Sequence, residues 1–449
     1  MKKLAILSPL VILMASTSLA QDSCIVRPSC ADMGYTKTES QCEGKDSIKC
    51  PFDLTALFCH ENESSEIEPD PEPIECDFGY LSQNGECLKI DNAIAFVLSV
   101  NANEGSIKLY TGTTSGGYKI DWGDGTIEDS LTTDYPSHNY ADIGEYQIVI
   151  TGNVPRFYIS SLSNSYPIEI LNLDLDTVKS YSKESNVGTF VNCENVVGYM
   201  PDEISPNVTN AKNMFLGCNK LSGTIPPLPN RLVNAEGMFK SCNNLTGSIP
   251  ELPSTLTNTN SMFYGCSKLT GNIPELPSTL TDASSMFFGC SSLNGTIPNI
   301  PNLLTSGYQM FRGCNNLTGN IPELPSGLTN ALEMFSGCSK LTGSIPTLPS
   351  TLTNGEAMFQ GCLELTGSIP TLPANLRNGN EMFNACRNLT GNITELPSSL
   401  YYAKYMFSYA SGLSGISPAK PSGLYNTYCT DIFANTQVTN DGSWPDDAW

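Results

Sequence analysis

The side chains best suited to chemistry in this chain are thiols, and their spacing is regular. Cys218, Cys242, Cys266, Cys290, Cys314, Cys338, Cys362 and Cys386 lie 24 residues apart, with Cys193 one residue out of phase before them. Thiols can serve as nucleophiles, metal ligands or disulfide partners. A nucleophile needs a base, and histidine occurs only at His60 and His138, both outside the periodic region. No G-x-S-x-G, H-E-x-x-H, Walker A or dinucleotide fingerprint is present. Glu251, Glu275, Glu323 and Glu395 recur at one position of the repeat, interrupted by Asn299, Thr347 and Thr371. Catalysis needs a singular constellation, whereas a residue repeated along the chain belongs to the surface of the repeat. The chain is therefore expected not to be an enzyme and to need no cofactor or metal.

Equivalent cysteines on stacked copies would point the same way about 4.8 Å apart, while a disulfide needs β-carbons at about 3.8 Å with converging directions. The eight are expected to form a buried ladder of free thiols, small plugs in an apolar wall. Ala410 stands in the same column, which fits packing and not ligation. Cys24, Cys30, Cys42, Cys50, Cys59, Cys76 and Cys87 are different: dense, near the N-terminus and with little apolar sequence around them. They are disulfide candidates, with connectivity open and one of the first five lacking a local partner. A zinc site is the weaker alternative, since no C-x-x-C pair occurs.

The repeating unit reads C-x-x-L-T-G-x-I-P-x-L-P-x-x-L-T-N-x-x-x-M-F-x-G-C, and Met-Phe pairs keep its phase from Met214 to Met406. Too few apolar groups sit in 24 residues to bury a core alone, so copies must stack. Leu221, Ile225, Leu228 and Leu232 begin four apolar columns, completed by Met-Phe and Cys. The predicted fold is a repeat solenoid with a short strand per 24-residue coil near Leu-Thr-Gly-x-Ile, a proline-bearing stretch and one helical turn ahead of Met-Phe. The column after Met-Phe varies while the frame stays fixed: Leu216, Lys240, Tyr264, Phe288, Arg312, Ser336, Gln360, Asn384. Lys240, Tyr264, Phe288 and Arg312 are the candidate ligand contacts, because aromatic residues and Arg carry binding energy at interfaces. The plainer alternative is an exposed column that tolerates any residue.

Around this array the chain divides further. Residues 1–20 read as a cleaved signal peptide, 21–60 as the cysteine-rich module, 61–75 as an acidic proline-containing linker and 76–90 as a short cysteine loop. Residues 91–155 alternate apolar and polar positions, as in "YQIVI", and predict a small β-sandwich. Residues 156–189 are expected to cap the solenoid, 190–433 to form the repeats and 434–449 a tail. Tyr401, Tyr402, Tyr405 and Tyr409, in the drifting last units, suggest a cap or a binding patch. A net charge of −22 disfavours nucleic acid and anionic membranes. No later segment has the run of apolar residues that membrane insertion needs, so an exported, monomeric, soluble chain is expected.

Two resemblances sharpen this. "DWGDG" with "HNYADIGEYQIVI" resembles PKD-like surface modules, through Trp122, Gly123, Asp124, Gly125, His138, Tyr140, Gly144 and Tyr146. Asp121 and Asp124 read as turn residues in preference to cation ligands. "CSKLTGNIPELP" and "MFYGC" resemble the BspA-like leucine-rich repeats of bacterial surface proteins, with I-x-I-P altered to I-P-x-L-P. This resemblance implies a secreted or cell-surface protein that adheres to an extracellular protein or glycan. The alternative is a structural spacer or coat protein whose recognition lies in the cysteine-rich module.

Overall fold

Residues 80–83, 86–89, 92–101, 105–112, 116–162, 166–181, 189 and 195–449 are described by a computed structural model. The signal peptide, the linker, Cys193 and Cys24, Cys30, Cys42, Cys50, Cys59 and Cys76 lie outside them. The chain divides into two compact units, Met1–Leu88 and Lys89–Trp449. In the first, β1 (Tyr80–Gln83) and β2 (Glu86–Lys89, containing Cys87) form a two-stranded sheet.

The second unit begins with β3 (Ala93–Val100), whose run AIAFVLSV is buried almost throughout, as a central strand covered on both faces should be. After it come β4 (Gly105–Tyr110), β5 (Tyr118–Asp121), β6 (Ile127–Leu131), β7 (Ser137–Tyr140), β8 (Gly144–Gly152), β9 (Tyr158–Leu162), β10 (Ile168–Asp174) and β11 (Val196–Val197). They form a six-stranded sheet in the order β11-β10-β3-β8-β5-β6 and a three-stranded sheet β7-β4-β9. Apolar side chains of both sheets share one core with the array.

The boundary expected at 155 does not hold. β9 pairs with β4, and β10 pairs antiparallel with β3 while pairing in parallel with β11. The segment expected as a cap thus completes the sandwich and starts the stacking: Arg156, Ser180, Asn210 and Asn234 form successive parallel bridges.

From there the chain is a repeat protein whose 24-residue copies stack in parallel. In the Thr259–Gly265 segment alternate residues do different work. Thr259, Ser261, Phe263 and Gly265 donate their N–H to the next copy at 2.7–2.9 Å, while Met262, Tyr264 and Cys266 donate three residues back within their own copy. The alternation needs left-handed residues, and Ser261 (φ 55°) and Gly265 (φ 76°) supply them. The expected helical turn is therefore a run of overlapping turns, and no α-helix occurs among the described residues.

The expected strand in every copy is also reduced. Two-residue strands occur as β12 (Gly223–Thr224) on β13 (Leu245–Thr246) and β14 (Gly367–Ser368) on β15 (Leu389–Thr390). Most other copies have single bridges. The reason is local: the glycine of Leu-Thr-Gly takes positive φ, 77° at Gly247 and 82° at Gly271, and proline follows three residues later without an N–H to donate.

Ten phenylalanines from Phe215 to Phe433 form the spine. Neighbouring rings are 5.6 to 5.9 Å apart and within 13° of parallel, an offset stack. Residues 434–449 are no loose tail. β16 (Ser414–Ile416) pairs in parallel with β17 (Gln437–Thr439), and Trp444 (edge-on) and Trp449 (stacked) each lie 5.0 Å from Phe433. These indoles cover the last ring of the spine, so the tyrosines are not its cap.

Candidate functional site

Along one face of the array, the side chains after Met-Phe form a continuous chain of contacts. Lys240 Nζ lies 4.9 Å from the centre of the Tyr264 ring, Tyr264 stacks on Phe288 at 4.3 Å and 5°, and the Arg312 guanidinium lies 5.3 Å from the centre of Phe288. All four are partly buried. The two rings share one pair of faces and turn the other pair toward a cation, each such contact contributing about 0.5–1 kcal/mol at an exposed site. Their edges, the Tyr264 hydroxyl and the flanking charges are what remain for a ligand.

Beyond Arg312 the chain becomes polar. Arg312 and Gln309 both bond to the Glu333 carboxylate, Ser336 donates to Gln360 at 3.1 Å, and Gln360 and Asn384 donate to Glu381. Gln309, Glu333 and Glu381 escape sequence reasoning because they occupy the column just before Met, outside the one that varies most obviously. Their left-handed backbone (φ 51° to 53°) swings that column beside the other. The 24-residue period would have found them had it been applied to that position.

The cysteine ladder lies behind this face. All eight thiols are buried, and none of them is in a disulfide. From Cys242 to Cys386 each Sγ lies 3.0 to 3.2 Å from the carbonyl oxygen of the phenylalanine 27 residues earlier. The thiols are thus donors between copies as well as plugs. Burial pushes up the thiols from Cys266 to Cys386, to about 12 at Cys338 and Cys386, so these six are protonated and poor nucleophiles.

The Trp-Gly-Asp-Gly segment is likewise internally satisfied. Asp121 accepts from the Gly123 N–H at 3.0 Å and Asp124 from the Thr126 N–H at 2.9 Å, while the other Asp124 oxygen meets His138 Nε2 at 2.7 Å. Burial works against the Asp124 carboxylate, but His138 and the Thr126 N–H outweigh it and hold the group below its ordinary value. Trp122 stacks on His138, Tyr140 on Tyr146, and the Tyr140 hydroxyl donates to the Trp122 carbonyl. Gly123 is required here: at φ 81° a Cβ would sit 2.6 Å from the Gln147 carbonyl oxygen. The motif fastens a turn to β7 and β8. Among the described residues no group of three or more His, Cys, Asp or Glu is placed to hold a metal, and no helix is long and apolar enough to cross a membrane. Glu251, Glu275, Glu323 and Glu395 are exposed.

No curated protein and no solved structure matches the chain. Two successive stretches, residues 188–300 and 305–416, match the family described as Mycoplasma protein of unknown function, DUF285. Together they span half of the chain and most of the array, and the chain belongs to that family.

Proposed function

We propose that the protein is an exported surface or secreted binding protein that uses the array face to recognise an extracellular protein or glycan. This reading takes the array as a leucine-rich-repeat-type solenoid, similar to BspA-like surface proteins, set behind a PKD-like module and a disulfide-stapled N-terminus. The observation that carries it is the Lys240–Tyr264–Phe288–Arg312 column, varied in chemistry on a frame of recurring apolar positions and partly open to solvent. A protein or glycan array probed with the full chain tests it. Combined Tyr264→Ala, Phe288→Ala and Arg312→Ala substitutions should weaken binding by more than about tenfold with the fold intact. Undiminished binding removes these residues from the claim.

One observation favours a second reading. Because the ring faces of Tyr264 and Phe288 are spent on each other and on Lys240 and Arg312, the column also serves to tie copies together. In that case the array is a spacer or coat element and recognition lies in the cysteine-rich module. Residues 21–90 alone would then retain all binding of the full chain, and the array alone none.

A further inference from the structure

Two columns of small polar side chains that recur along much of the array change in its last copies. Thr257, Thr281, Thr329 and Thr353 each donate a hydroxyl to the backbone of the preceding copy, and the next two positions of that column are Arg377 and Tyr401. Asn330, Asn354 and Asn378 bridge successive copies and each accepts the N–H two residues on. The backbone bridge continues to Tyr402, while the Lys404 N–H turns to Asn380 instead.

The tyrosines that replace these small polar residues gather. Tyr401 contacts Tyr402 at 4.7 Å, Tyr425 at 5.8 Å and Tyr428 at 5.1 Å, and Tyr402 contacts Tyr428 at 5.0 Å. Tyr401, Tyr402 and Tyr425 are exposed, the last by 62%. With Arg377 and Ser399, Tyr401 and Tyr402 line a half-open cleft of about 400 Å³. The Arg377 guanidinium makes no ion pair with any described residue.

Packing does not explain this cluster. Trp444 and Trp449, not the tyrosines, cover the end of the spine. In the same copy Tyr405 (φ 56°) and Tyr409 (φ 59°) occupy the two left-handed positions, where a bulky side chain costs about 1–2 kcal/mol. Elsewhere the position of Tyr409 is mostly glycine. A copy that exchanges small hydrogen-bonding side chains for exposed tyrosines, and sets a tyrosine where most copies have glycine, is shaped by what it presents to solvent.

We propose that this cleft binds a short saccharide bearing a carboxylate or a sulfate. The C–H face of a sugar ring lies on a tyrosine ring, its hydroxyls meet phenol hydroxyls and donate to the Ser399 oxygen, whose own proton goes to the Leu376 carbonyl, and the planar Arg377 fork pairs with the anion. A net charge of −22 repels long polyanions, so one guanidinium in an aromatic cleft selects an isolated anionic group. The site is separate from the Lys240–Arg312 column and does not rest on the function proposed for that column.

Calorimetric titration of the full chain with lactose, sialyllactose and sulfated lactose tests the proposal and tells carboxylate from sulfate. At least one acidic sugar should bind about tenfold tighter than lactose, the range of a hydrogen bond to a charged group. Arg377→Gln, at an exposed position, should bring it down to the lactose level, and Tyr401→Ala should weaken whatever binds. The triple substitution at Tyr264, Phe288 and Arg312 should leave these affinities unchanged, which separates the two sites. The proposal is overturned if none of the three sugars binds, if all bind equally, or if Arg377→Gln and Tyr401→Ala proteins of unchanged thermal stability bind as tightly as the parent.

Discussion

At the scale of single residues, the thiols carry the clearest consequence. A thiol that is neutral in the folded array and ordinary in the unfolded chain makes stability depend on pH. The contribution is complete below the ordinary value of 9.0 and is lost as pH rises through the window up to about 12 at Cys338 and Cys386. Each such thiol should remove about 1.4 kcal/mol per pH unit within that window. The midpoint of urea unfolding, followed from neutral pH to about pH 11, should therefore fall steeply above about pH 9. It should fall less in a Cys338→Ala, Cys386→Ala protein, and a flat profile would show that the thiols do not set the alkaline limit. The period alone places these cysteines in one buried column. Their hydrogen bonds to the phenylalanine carbonyls were not legible, because a carbonyl's direction depends on the turns of the preceding copy. The same holds for the binding column: its residue types could be read from the sequence, whereas the mutual stacking of Tyr264 and Phe288 is a product of how the copies superpose.

At the scale of the repeating element, apolar columns were legible and backbone conformation was not. Leu, Ile, Met, Phe and Cys recur with the period and are buried almost without exception. The residue before Met has positive φ in copy after copy, yet it is Asn213, Gly237, Ser261, Gln309, Glu333 or Tyr405, so no residue type announces the turn. Stacking across the copies overrides the local preference of several of these residues for a right-handed helix. Because each copy touches chiefly its neighbours, damage should stay local. Phe311→Ala should cost about 3–5 kcal/mol. Hydrogen exchange should quicken first in the copies holding Met286, Met310 and Met334; uniform quickening from Asn210 to Phe433 would instead mean that the array melts as one unit.

At the scale of the unit Lys89–Trp449, both ends of the spine are closed by different means. The sandwich core runs into the first copies through β10 and β11, and the last copy is closed by two indoles. The N-terminal junction could not be placed from sequence because β9 and β10 alternate like the sandwich strands and yet begin the stacking. The C-terminal closure hid in a segment without the repeat's signature. Trp444→Ala combined with Trp449→Ala should uncover Phe433 and make the protein associate further than the parent does, which light scattering would detect; an unchanged mass in solution would show that β17 suffices.

The parallel stacking of copies also has a mechanical meaning. Hydrogen bonds join each copy to the next along the array, so tension applied at the two ends opens one layer before the next bears load. Each layer that yields frees 24 residues, about 80 Å of extended chain. Stretched between two attachment points, such a molecule lengthens in steps instead of snapping, and a sawtooth of that spacing is the force–extension trace expected in single-molecule pulling.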